Sequence, residues 1–183
     1  MVTKDKIAEE YLKLGIEKGF DNVSLQNIAE KAGLRKASLY SHFKDYSQLE
    51  HYAVEYANSG LSKQEFTVNF AASDMETLMS ELLDSIISVF TEFPVYGLLI
   101  LTEQRKTYSK IYGELSERLN MMINARMQVA LEYCVQRSWT DIRDTDEISL
   151  LFSTALRSYL VNSNVTDTDM DSLLRTFLHI LRT

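Results

Sequence analysis

Between positions 35 and 44 the chain reads RKASLYSHFK, and Arg35, Lys36, Ser38, Tyr40, His42 and Lys44 follow closely on a glycine at 33. Every one of these side chains can donate a hydrogen bond, and the arginine and lysines are permanent cations. Donors at this density suit an acceptor-rich partner, such as phosphate oxygens or the edges of bases. Catalysis is a poorer fit. His42, His51 and His179 are scattered and pair with no cysteine or serine elbow, and the chain has no glycine-rich phosphate loop. Cys134 is the single cysteine, so an intramolecular disulfide is excluded and no Cys/His zinc spacing exists. The expectation is a protein that is not an enzyme and needs no metal or cofactor.

The elements that must position these donors are helices. Six glycines and one proline in 183 residues are few, and apolar residues recur at helical spacing with hardly any strand-like alternation. The fold class is therefore all-α. Thr3 is the N-cap expected for a helix to Lys18, closed by Gly19. Ser24 caps a second helix running up to Gly33, and a short third helix spans about 36–42, burying Ala37, Leu39 or Tyr40, and Phe43. A fourth runs from about Ser47 to Asn58, after which the polar stretch NSGLSKQE reads as a break. MSELLDSIISVFTEF forms a helix that Pro94 stops. Two helices follow over 95–107 and 109–138, then a loop with Thr145 or Asp146 as the next cap.

The last two helices carry wide apolar stripes. One is Ile148, Leu151, Phe152, Ala155, Leu156, Tyr159 and Leu160; the other is Met170, Leu173, Leu174, Phe177, Leu178 and Leu181. Such width serves as core or also as an isologous dimer face. The residues expected at that face are Phe152, Leu156, Tyr159, Leu173, Leu174, Phe177 and Leu181.

Charge is divided along the chain. Eight basic and eight acidic residues balance within the first 50, so the remainder carries the whole formal net charge of -7. Overall acidity argues against general coating of DNA and leaves room for a local contact. No window approaches 18 uncharged apolar residues, and the N-terminus has no apolar run of signal length. A soluble, cytoplasmic protein without a membrane partner is expected.

Two helices around a short turn at Gly33 have helix-turn-helix spacing, which is equally that of an ordinary helical hairpin. The pattern VSLQNIAEKAGLRKASLYSHFKDYSQL goes further and closely resembles the DNA-binding region of the TetR family of bacterial transcriptional regulators. The elements of the likeness are Gly19, Phe20, Ser24, Ile28, Ala29, Gly33, Leu34, Leu39, Tyr40 and Phe43. The resemblance implies a three-helix helix-turn-helix DNA-binding domain over 1–46 and a helical ligand-binding and dimerisation domain over 47–183. It also implies double-stranded operator DNA, a small-molecule effector and a homodimer formed through the two C-terminal helices.

The roles of individual residues follow. Ser24, Tyr40 and Lys44 are candidates for phosphate, Arg35, Lys36 and Ser38 for base edges, and His42 for either. In the family's helical domain an effector cavity is expected; Tyr96, Tyr108, Tyr112, Met122, Arg126 and Met127 are its candidates here, suited to an amphipathic or aromatic molecule. The implied function is a repressor released from a palindromic operator by that molecule, with the fourth helix as the lever.

Two departures from the family pattern stand out. Gly15 replaces a usual aromatic, and the ring of Tyr11 is expected to fill its space. Tyr46 replaces a common lysine, leaving at most a phenol hydrogen bond to phosphate and passing the ionic contact to Lys44. The alternative function is a helical protein–protein adaptor that has lost DNA binding.

Overall fold

The structure, a computed structural model, describes residues 2–64, 67–162 and 167–182, the side chains of 167–170 excepted. Among the described residues there are nine α-helices and no strand: α1 Lys4–Lys18, α2 Leu25–Lys31, α3 Lys36–Leu39, α4 Tyr46–Leu61, α5 Met75–Thr91, α6 Val95–Arg105, α7 Lys110–Gln136, α8 Thr145–Leu160 and α9 Asp167–Leu181. A 3-10 turn, Phe20–Asn22, joins α1 to α2.

Local chemistry explains the N-terminal boundaries. The Thr3 hydroxyl accepts the Lys6 amide and starts α1, and Gly19 closes it. Ser24 and Asn27 form a reciprocal capping box at the start of α2. At its end the Leu34 amide donates to the Ala29 carbonyl and the Gly33 amide to the Glu30 carbonyl, a Schellman closure that requires the positive φ of 70° at Gly33.

Other boundaries differ from expectation. Helix α3 stops at Leu39, and two further turns carry the chain to Phe43. Leu39 and Phe43 are its buried anchors, while Ala37 and Tyr40 are exposed. Helix α4 continues through NSG to Leu61, because Ala57 and Leu61 are buried and hold the last turn. Asp144, rather than Thr145 or Asp146, caps α8 by accepting the Glu147 amide.

The chain forms two compact units. The first comprises Met1–Gln64 and Glu92–Glu114, that is α1 to α4, α6 and the first turn of α7. There α1 packs on α2, α4 and α6, α4 on α6, and α2 on α3. Ile7, Tyr11, Leu14, Phe20, Ile28, Leu39, Phe43, Leu49, Ala53 and Leu98 are all buried. The space left by Gly15 is filled by Phe20 and not by Tyr11: a side-chain carbon at 15 would overlap the Phe20 ring. Tyr11 instead packs edge-on against Phe20, with ring centroids 5.2 Å apart. The ring one turn earlier on the same helix points past the gap, and the ring arriving from the turn drops into it.

The second unit, Glu65–Thr91 and Leu115–Thr183, holds α5, α8, α9 and the rest of α7. Helix α5 packs on α8 and α9. Phe152 and Phe177 stack with centroids 3.8 Å apart, and together with Leu156 and Leu181 they are buried inside this unit. These four of the expected dimer residues are therefore core of the single chain: the middle of each stripe is consumed within the unit. Tyr159, Leu173 and Leu174 remain half-buried, and Leu150 and Leu151 are about half exposed. Met170 belongs to α9, but its side chain lies outside the described residues. Arg157, buried on α8, donates to the carbonyl and hydroxyl of Ser116 at 2.5 and 2.6 Å.

Replacing Gly15 with alanine should push the Phe20 ring out of its slot and cost about 1–3 kcal/mol, read as a lowered Tm with the helical circular dichroism retained. Burial pushes the Cys134 thiol from 9.0 up to about 11, so it stays neutral and shielded at neutral pH. Alkylation at pH 8 should therefore require unfolding. The thiol's contribution to stability should be full below pH 9 and lost as pH rises towards 11.

Candidate nucleic-acid interface

The face around α3 is built by two anchors and a turn. Gly33 ends α2 sharply, Arg35 enters α3 in an extended conformation, and its carbonyl receives the Ser38 and Leu39 amides. With Leu39 and Phe43 pinned in the core, Arg35, Lys36, Ser38 and Tyr40 are left outside, Tyr40 at 49% exposure. His42 is half-buried at the end of this segment. Lys44 has its main chain fixed, its amide donating to the Gln48 side chain at 2.7 Å, while its ammonium is exposed. Ser24 is exposed at the start of α2, but its hydroxyl donates to Asn27 Oδ1 at 2.9 Å. The structure thus brings Arg35, Lys36, Ser38, Tyr40 and Lys44 to an exposed stretch of chain.

The cations of this stretch differ from Lys6 and Lys13 of α1. On α1, Lys6 and Lys13 are paired with Glu9 and Glu10, and Lys4 lies over the rings of Phe43 and Tyr52. Among the described residues, Arg35, Lys36 and Lys44 have no carboxylate within ion-pair distance. Their charge is available to an external anion.

Tyr46 does not take the place of the usual lysine. Its ring packs edge-on against Tyr11 at 5.7 Å and its hydroxyl lies 3.5 Å from the Phe20 carbonyl. Burial raises its phenol pKa. The side chain closes the gap between α1 and α4.

The first unit also holds a polar cluster that the sequence did not disclose. The Tyr11 hydroxyl donates to one carboxylate oxygen of Glu50 at 2.5 Å, and the Tyr112 hydroxyl to the other at 2.7 Å. Arg105 pairs with Asp21 and lies 3.9 Å from Glu50, while the Phe20 amide donates to Gln104 at 2.9 Å. Burial first, and then the Glu50 charge, raise the pKa of both Tyr11 and Tyr112, so their phenols stay protonated and donate. Partners 39, 62 and 84 positions apart leave no local signal in a sequence.

The six candidates for an effector cavity are divided between the two units. Tyr96, Tyr108 and Tyr112 belong to the first unit, where Tyr108 is 81% exposed and Tyr112 is committed to Glu50. Met127 is buried core of the second unit. Met122 and Arg126 do share a site there, a groove of about 260 Å³ on α7 lined also by Arg118, Met121 and Ala125.

Comparison with known proteins agrees with this geometry. Residues 12–49 match the sequence model described as bacterial regulatory proteins, tetR family. A biofilm operon negative transcriptional regulator of helix-turn-helix type, IcaR of Staphylococcus aureus, is 25% identical over 81% of this chain and 79% of its own. The crystal structure of PfmR, a TetR family regulator from Thermus thermophilus, superposes with a TM-score of 0.67 at 19% identity, covering 96% of both chains. That of AibR, in complex with isovaleryl coenzyme A and operator DNA, gives 0.65 at 14% identity and covers 97% of both. No single helix among the described residues is long and apolar enough to cross a membrane.

Exchanging Arg35 and Lys36 together for alanine should leave stability within about 0.5 kcal/mol, since both are exposed. It should also weaken duplex binding and relax base preference, whereas Lys44→Ala should lower the slope of log affinity against log salt by about one. Anisotropy titrations at several salt concentrations read both quantities.

Proposed function

The chain belongs to the TetR family of bacterial transcriptional regulators, a class of DNA-binding and non-enzymatic proteins, and on that premise we propose that it is a homodimeric, ligand-released repressor. The observation that carries this reading is the set of exposed cations Arg35, Lys36 and Lys44, unpaired among the described residues, around a short helix held by Leu39 and Phe43. That helix lies inside the segment that matches the family.

In this reading residues 1–46 form the DNA-binding part. Arg35, Lys36 and Ser38 reach base edges, arginine and lysine favouring guanine O6 and N7, while Tyr40 and Lys44 hold phosphates and His42 assists. Ser24 contributes the capped start of α2. One such headpiece makes few contacts, so two act together on a palindrome with half-sites about 34 Å apart or a multiple of that. The α8 and α9 helices supply the dimer face through Tyr159, Leu173 and Leu174, extended by the exposed Leu150 and Leu151. A repressor role is supported by the description of IcaR as a negative regulator.

Effector response is a linkage. A ligand lowers operator affinity only by preferring a conformation with wrongly spaced recognition helices, and a coupling of about 1–3 kcal/mol gives about 5–150-fold. Met122 and Arg126, with Arg118 and Met121, offer adaptable apolar surface beside guanidinium groups for an amphipathic molecule. The protein works in the cytoplasm.

Selection of bound duplexes from a random pool by the purified protein should enrich a palindrome with half-sites one or more helical turns apart. Failure of folded, dimeric protein to enrich any duplex at low salt would favour a protein–protein adaptor instead.

A further inference from the structure

Glu50 lies on α4, carries no role in the reading above, and collects partners from three other helices. Tyr11 comes from α1, Arg105 from α6 and Tyr112 from the first turn of α7. The two tyrosines use different oxygens of its carboxylate, so the carboxylate is held from both sides. From Arg105 the connection continues to Asp21, and from its neighbour Gln104 to the Phe20 amide. Both end points lie in the 3-10 turn Phe20–Asn22, two residues before Ser24 opens α2. The same turn carries the Phe20 ring into the slot above Gly15.

Stability alone does not call for such a cluster. A half-buried carboxylate shared by phenols is often no better than apolar packing of the same volume. What it adds is a single arrangement, because each donor must meet a fixed oxygen at a fixed distance. Tyr11 is fully buried, so its hydroxyl has no access to bulk water if the acceptor shifts. We infer that Glu50 is a positioning residue for DNA recognition: shared by Tyr11, Tyr112 and Arg105, it holds α1, α4 and α6 so that the Phe20–Asn22 turn sets α2 and α3 in their binding geometry. The inference rests on the DNA-binding reading and adds to it a residue that touches no DNA.

The test uses the full chain and the palindromic duplex selected by the wild-type protein. Tyr112→Phe, Glu50→Gln and the double variant are titrated by anisotropy well below their Tm, with the folded fraction and oligomeric state measured alongside. Glu50→Gln and Tyr112→Phe should each weaken binding about 5- to 50-fold, with the salt slope unchanged because no phosphate contact is lost. The double variant should bind no worse than Glu50→Gln alone, since both changes break one shared interaction. Affinities within twofold of wild type, whatever the change in Tm, would show a merely structural cluster and overturn the inference. A lowered salt slope would overturn it too, by making these residues direct contacts. If Glu50→Gln fails to fold, Tyr112→Phe alone decides, because it removes one half-buried hydroxyl. A wild-type protein that selects no duplex overturns the DNA-binding reading itself; wild-type binding with unaffected variants overturns only the role of Glu50.

Discussion

A carboxylate with only 16% of its side chain exposed must find donors, and the first unit is arranged around the places where Glu50 finds them. Its two oxygens are met by phenols from helices far apart in sequence, and a guanidinium lies close by. Each phenol also packs as an aromatic ring or helix-surface residue, so polar and apolar requirements are met by the same side chains. Tyr11 is the clearest instance. Its hydroxyl meets Glu50 while its ring stands edge-on to both Phe20 and Tyr46. The turn of three residues between α1 and α2 is held from the ring side, where Phe20 fills the space at Gly15, and from the main-chain side, where the Phe20 amide donates to Gln104.

The charges around this framework divide into two kinds. Lys6 and Lys13 on α1 and Arg105 and Lys106 on α6 are matched by carboxylates close to them, and these pairs stabilise at most modestly because they are partly solvated. Arg35, Lys36 and Lys44 have no carboxylate within ion-pair distance among the described residues. In a chain of formal net charge -7, unmatched cations in one short stretch concentrate the attraction for an anionic partner there and leave the rest of the chain disposed to repel it.

Features governed by neighbours in sequence were legible before the structure. Thr3, Ser24 and Gly33 were readable because a cap or a left-handed turn is decided within four residues, and the exposed donors of α3 because Leu39 and Phe43 lie one turn apart. Features decided across the fold were not. A tyrosine at 46 reads as a weakened phosphate contact until its ring is seen against Tyr11, and Gly15 reads as a vacancy for Tyr11 until Phe20 arrives from the other side of Gly19. The apolar stripes of α8 and α9 are legible as stripes, although Leu151 lies exposed at the edge of the first. Their width alone does not say how much is consumed inside one chain, and the stacked Phe152 and Phe177 consume the centre. Tyr112 is a further instance: a tyrosine suits a ligand and a buried carboxylate equally well, and Tyr112 donates to Glu50.

The first unit is assembled from two stretches of chain, Met1–Gln64 and Glu92–Glu114, and the turn before α2 takes its hydrogen-bond and ion-pair partners from the later one. A chimera joined after α3, in the manner of exchanging one reading head for another, would carry Phe20 and Asp21 without Gln104 and Arg105. An exchange that keeps this turn intact therefore has to be cut along the packing, with α4 and α6 travelling together with α1 to α3.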